Sequence, residues 1–175
     1  PDGFVYANDI NEAITMIDDT TVGVMLELIQ GEGGIFMQDI FQVQRLERIL
    51  KEKKLLLIID EIQTGVYRSG NFLISQYFGI KPDIITLAKG LASGIPIGVM
   101  MTSLKDIFTF GDHGSTFGGN HLSTTVCKAV LKILEKYSNS GKLSENIKYF
   151  NSCLQYFTDK YPNIFLQKNG WGFMQ

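Results

Sequence analysis

An α/β fold, with a mainly parallel sheet layered by helices, is what three features of the sequence predict. Short apolar runs alternate with longer stretches whose apolar residues recur at helical spacing. The run Leu55-Leu56-Leu57-Ile58-Ile59 is continuous rather than alternating, as in strands buried on both faces of a parallel sheet. Glu27, Asp60 and Lys89 each follow an apolar run, at the strand carboxyl ends where such sheets gather functional groups.

The elements follow in order. Asp9-x-x-Glu12 reads as a capping box for a short helix carrying Ile10, Ala13, Ile14 and Ile17. Residues 22–26 are apolar and too short for a helix, so they predict a buried strand. The glycine crowding of Gln30-Gly31-Glu32-Gly33-Gly34 predicts no regular element there. From 39 to 54, Ile40, Val43, Leu46, Ile49 and Leu50 mark a helix with basic residues toward its end. Residues 55–59 form the clearest strand. A helix near 72–78, strands at 83–88 and 97–102, and helices at 122–137 and 144–161 complete the pattern. Both ends read as interior to a larger protein: nothing strand-like precedes Pro1-Asp2-Gly3, and a new strand begins near Gly170-Trp171-Gly172.

Composition narrows the function classes. Sixteen basic and eighteen acidic side chains give a net charge of −2, which argues against a sequence-blind nucleic-acid binder. The apolar runs fall far short of the ~20 residues that span a bilayer, and the first residues carry no signal-peptide pattern. Charged residues make up only 19% of the chain, which suggests surface meant to be covered. Cys127 and Cys153 fit no CxxC motif and read as small buried thiols; His113 and His121 have no ligand-spaced partner, so no metal site is expected.

The chemistry-bearing residues allow more than one reading. Leu55 to Glu61 has the form of a Walker B strand, in which Asp60 and Glu61 would hold magnesium for a nucleotide, but no GxxxxGK[ST] loop precedes it. Gly31-x-Gly33-Gly34 lacks the third glycine of a dinucleotide loop and serves equally as a turn. Lys89, between a strand and Gly90, could snorkel to solvent. Beside Asp60 it has a second meaning: a lysine amine forms Schiff bases, and a fixed carboxylate keeps a pyridine nitrogen protonated.

The ordered motifs Glu27-Leu28-Ile29-Gln30-Gly31-Glu32-Gly33-Gly34, Asp60-Glu61-Ile62-Gln63-Thr64-Gly65-Val66-Tyr67-Arg68-Ser69-Gly70, Lys81 to Gly90, Pro96-Ile97-Gly98 and His113 to Asn120 resemble those of the class III (ornithine-type) aminotransferases. The acetylornithine branch is most similar, with ornithine and succinyl-diaminopimelate branches close behind. The resemblance implies the central and later part, over 1–175, of the large domain of a fold-type I pyridoxal-phosphate enzyme. It implies a cytoplasmic homodimer with shared sites that moves an amino group from N-acetylornithine, or a related ω-amine, to 2-oxoglutarate. Lys89 then corresponds to the Schiff-base lysine and Asp60 to the pyridinium partner. Glu61 neighbours the cofactor, Gln63 reaches its phenolic oxygen and Ile62 packs on a ring face. Thr116 corresponds to a phosphate contact given across the dimer, Ser115 lies near the substrate, and Glu32 gates a substrate arginine expected beyond Gln175. Leu28 replaces the family's usual proline, restoring an N–H and loosening φ.

Overall fold

The computed structural model describes residues 2–175. Its centre is a four-stranded sheet of β1 (Gly23–Leu26), β4 (Leu56–Asp60), β5 (Ile84–Leu87) and β6 (Val99–Thr102), in the order β1-β4-β5-β6. The first three are parallel, with Leu26 beside Ile59 and Asp60 beside Thr86. β6 runs antiparallel to β5, pairing Met100 with Thr86. The link from β5 to β6 carries only the short 3₁₀ turn Lys89–Ala92 and no crossover helix, and the chain turns back. Thus the expected sheet is present, with one reversed edge.

Period-two alternation gives the sheet two unlike faces. Leu57 and Ile59 are almost fully buried in a cluster with Val43, Leu46 and Leu50 of α2 (Ile40–Lys53). Ile58 and Asp60 take the other, half-covered face. Asp39 starts α2 by accepting the Gln42 N–H at 2.9 Å. In the short α1 (Ile10–Thr15) Asp9 accepts the Glu12 N–H, while the Glu12 carboxylate reaches one residue further back than a capping box requires, to the Asn8 N–H.

A second cluster joins Ile85, Leu87 and Leu91 to Cys127, Leu131 and Leu134 of α4 (His121–Asn139). α5 (Lys142–Lys160) lies against α4, and both cysteines are free and half-buried. Tyr149, Tyr156 and Phe157 are exposed, whereas Phe150 packs its ring 5.8 Å from Phe173.

Two sequence expectations are corrected. The glycine-rich segment after β1 is not devoid of regular structure: β2 (Ile29–Gln30) and β3 (Phe36–Met37) form a small antiparallel hairpin around it. The glycines occupy the turn, while fully buried Leu28 and Ile29 anchor the hairpin in the main core. Leu28 therefore adds core packing where the family's proline would stiffen the chain. At the other end, residues 170–175 form a single bridge between Trp171 and Met174 rather than a strand.

Candidate functional site

Asp60 is the last residue of β4, on the half-covered sheet face. Its Oδ1 accepts the Ile62 N–H at 2.8 Å, a local bond that turns the chain away and leaves the second oxygen without a partner among the described residues. Lys89 stands two residues beyond β5, the neighbouring strand, and opens a 3₁₀ turn, Lys89–Ala92. Its φ of 44° is a left-handed value that a side-chain-bearing residue adopts at a cost. The strand ending thus presents an exposed amine beside the strand that presents the acid.

Glu61 corrects an expectation. Adjacent strand residues point to opposite faces, so Glu61 is fully buried and away from Asp60. Its Oε2 accepts from the Ile74 N–H and the Thr64 hydroxyl, and its Oε1 from the Ser75 N–H. These donors include the first backbone N–H groups of α3 (Ile74–Phe78), so the carboxylate caps a helix rather than facing a cofactor. Asp60 and Glu61 cannot share a magnesium ion in this arrangement. Among the described residues no group of three His, Cys, Asp or Glu side chains is placed to hold a metal.

The loop after β4 is tightly specified. Val66 and Tyr67 both have left-handed φ values, 54° and 65°. Their N–H groups bond to the carbonyls of Phe72 and Asn71, and the Tyr67 and Phe72 rings pack 5.7 Å apart. This turn holds Ile62 and Gln63 toward a cleft of about 690 Å³, which Gly31, Glu32, Lys89, Phe173 and Met174 also line. Gln63 lies directly over Gly31: a Cβ there would stand 1.7 Å from the Gln63 Oε1. Gly31 is itself fixed by its N–H, which bonds to the Glu27 carboxylate at 3.1 Å. Of the three strand-end residues, then, Glu27 shapes the hairpin, and Asp60 and Lys89 face the open side.

Lys89 also borders a second cleft of about 840 Å³ with Pro96, Gly98, Phe117, Asn120 and Ser123. Asn120 caps α4 through the Ser123 N–H, and the Ser123 hydroxyl bonds the Pro96 carbonyl at 2.9 Å. Ser115 and Thr116 line neither cleft and are exposed on the preceding loop. The structure thus brings Glu32, Ile62, Gln63 and Lys89 to one cleft; Asp60 lines neither cleft but stands at the adjoining strand end, and Ser115 and Thr116 lie on the exposed loop outside both.

Sequence reasoning missed one contributor. Gly31 read as a turn or an incomplete dinucleotide loop, although its lack of a Cβ makes room for Gln63. It also gave no weight to the hydroxyl of Thr86 inside Ile84-Ile85-Thr86-Leu87, in register with Asp60.

Comparison with known proteins identifies the family. Residues 5–174 match the family model described as Aminotransferase class-III. The chain is 51% identical over its whole length to the acetylornithine aminotransferase of Wolinella succinogenes, and 37% identical over 99% of its length to that of Methanocaldococcus jannaschii. Among solved structures, the ornithine aminotransferase of Toxoplasma gondii superposes with a TM-score of 0.80 at 32% identity, covering 96% of this chain and 41% of that one. The N-acetylornithine aminotransferase of Stenotrophomonas maltophilia gives 0.77 at 28% identity, covering 96% and 44%. The chain spans 44% of the length of each of the two curated relatives. The chain belongs to the class III aminotransferases.

Proposed function

We propose that this chain is the central and later part of the large domain of a pyridoxal-phosphate-dependent aminotransferase. The reaction moves an amino group from N-acetylornithine, or a related ω-amine, to 2-oxoglutarate, in a cytoplasmic homodimer. One observation carries this reading: Asp60 and Lys89 stand at the ends of adjacent parallel strands, and Lys89 lines one cleft with Ile62, Gln63 and the hairpin-turn residues Gly31 and Glu32. The relatives named for acetylornithine support the amino donor.

The donor set fits the cofactor. A carboxylate with one oxygen tied to a backbone N–H and the other free suits a protonated ring nitrogen, an amide suits a phenolic oxygen, and Ile62 offers an apolar surface to a ring. Bound there, pyridoxal phosphate supplies an electron sink for the carbon that loses its proton. Asp60 holds the proton on the ring nitrogen, since its negative charge favours the cationic form. With the cofactor in place, the Lys89 Nζ would be the amine that holds it and would carry the proton at the substrate carbon. Gln63 orients the ring, and Glu32, exposed at the lip of the same cleft, faces incoming substrate. Thr116 and Ser115 serve the neighbouring subunit's site; their exposure outside both clefts supports that placement.

Borohydride reduction of the cofactor-loaded protein, followed by peptide mapping, should place the pyridoxyl label on Lys89 alone. A label on another lysine, or undiminished turnover in Lys89→Ala, would overturn the reading. Comparing N-acetylornithine, ornithine and succinyl-diaminopimelate as donors then decides the branch.

A further inference from the structure

We propose that Thr86 is a positioning residue for Asp60, its hydroxyl donating to the carboxylate oxygen that Ile62 does not hold. The inference rests on the reading of Asp60 as partner of a ring nitrogen, and it goes beyond that reading by naming what aims the carboxylate.

Thr86 is the residue of β5 in register with Asp60 on β4, and register partners in a parallel pair project to the same face. On its other side Thr86 is in register with Met100, which offers no hydrogen-bonding oxygen or nitrogen in its side chain. The Thr86 Oγ1 is buried and makes no hydrogen bond. A buried hydroxyl left unpaired is costly, so it marks a bond waiting to be made. Asp60 supplies the missing acceptor. Its Oδ1 is occupied by the Ile62 N–H, while its other oxygen has no partner among the described residues. Neighbouring strands lie about 4.8 Å apart, and the bond forms by turning the Thr86 side chain toward Asp60, which keeps its Ile62 bond. The backbone is already fixed for this, because the Glu61 N–H bonds the Thr86 carbonyl at 3.0 Å. With one oxygen held by the Ile62 N–H and the other steadied by Thr86, the carboxylate is locked in one rotamer, with a lone pair left for a cationic ring.

The test uses the intact homodimer and compares Thr86→Val, which keeps the shape, with Thr86→Ser, which keeps the hydroxyl. Cofactor affinity is followed by visible absorbance on titration with pyridoxal phosphate, alongside turnover, the pH dependence of the bound cofactor's visible band, and the melting temperature of the cofactor-free protein. Thr86→Val should weaken cofactor binding about tenfold, equivalent to ~1.4 kcal/mol. It should also lower turnover and shift the pH profile of the band. The cofactor-free protein should melt no lower than wild type, because the hydroxyl is unpaired there and turns to Asp60 only when the cofactor is bound. Thr86→Ser should restore affinity and turnover. Wild-type affinity and pH profile in Thr86→Val would overturn the assignment, as would equal impairment of both variants, which indicates methyl packing alone. Absence of any visible band in the wild-type protein would instead overturn the reading of Asp60 itself, and Thr86 with it.

Discussion

The strand ends around Asp60 and the loop carrying Ser115 and Thr116 are built by opposite means. Around Asp60 the chain is over-determined. Glu61 is buried and accepts three donors, Gly65 and Val66 are buried, and the left-handed Val66 and Tyr67 are held by bonds to Phe72 and Asn71. Every residue from 111 to 120 is exposed, and Phe110 and Phe117 turn large apolar surfaces outward. That loop is ordered by short-range bonds alone, such as the Gly118 N–H to the Ser115 hydroxyl and the Thr109 groups to Asp112. Both regions carry residues assigned to one site. The first is pre-organised within the chain, while the second makes no long-range side-chain bond among the described residues, in keeping with the proposal that it serves a neighbouring subunit.

The strongest way to break this comparison is complementation. A Lys89→Ala chain should be inactive as a homodimer. Mixed with a Thr116→Ala chain, it should yield heterodimers in which one site carries both lesions and the other is intact. A site with wild-type cofactor affinity and turnover should therefore appear only in the mixture. If no such site forms, Thr116 serves its own chain and the contrast between the two regions fails.

Asp60→Asn probes the pre-organised region. It keeps the shape and the Ile62 bond but removes the charge that holds a ring proton. Turnover should fall about a thousandfold, ~4 kcal/mol of transition-state stabilisation, with a smaller loss in cofactor affinity. Steady-state kinetics and an absorbance titration separate the two effects. Near-normal turnover would leave Asp60 as a turn residue only.

The adjacent Glu61 should behave in the opposite sense. Glu61→Ala leaves the Ile74 and Ser75 N–H groups and the Thr64 hydroxyl without their acceptor in a buried setting. Unfolding free energy should drop by about 2–4 kcal/mol, read by denaturant titration. Any protein that remains folded should keep its cofactor affinity, because this carboxylate faces the core. Loss of affinity without loss of stability would return Glu61 to the cofactor.

The smallest effect belongs to the loop. The Asp112 carboxylate accepts from the backbone N–H and then the hydroxyl of Thr109, which holds it below the ordinary aspartate range. A depressed carboxylate contributes order above its unfolded pKa and loses it as pH falls through the folded one. The Thr109 amide should therefore lose its protection, relative to the intrinsic exchange rate at each pH, only under acid conditions below the usual aspartate range, while amides of β4 and β5 keep theirs. Amide exchange measured against pH tests this, and equal acid sensitivity in both regions would erase the contrast.

How much of this was legible in the sequence depended on the range of the forces involved. The helix starts at Asp9 and Asp39 are decided within a few residues, so a linear reading locates them, and it places the start of α4 within two residues of its Asn120 cap. The strands of aliphatic runs were legible for the same reason, and their charged ends marked Asp60 and Lys89 before any neighbour was known. The hairpin β2–β3 was not, because its glycine-rich turn hides two-residue strands that exist only while Leu28 and Ile29 are buried in a distant core.

Two acids side by side in one motif show where linear reading stops. By itself the sequence determined the alternation of strand and helix, the family, and the residue types at the strand ends, since each is a matter of local pattern and covalent order. Only the tertiary structure decided that Asp60 faces the open side while Glu61 caps α3, and that Gln63 lies over Gly31. It alone decided that β6 runs backward and that the Thr86 hydroxyl stands unpaired in register with Asp60. Those outcomes depend on strand register and on which atoms meet across elements far apart in the chain. A one-residue slip of register would reverse every face, and no local propensity encodes it.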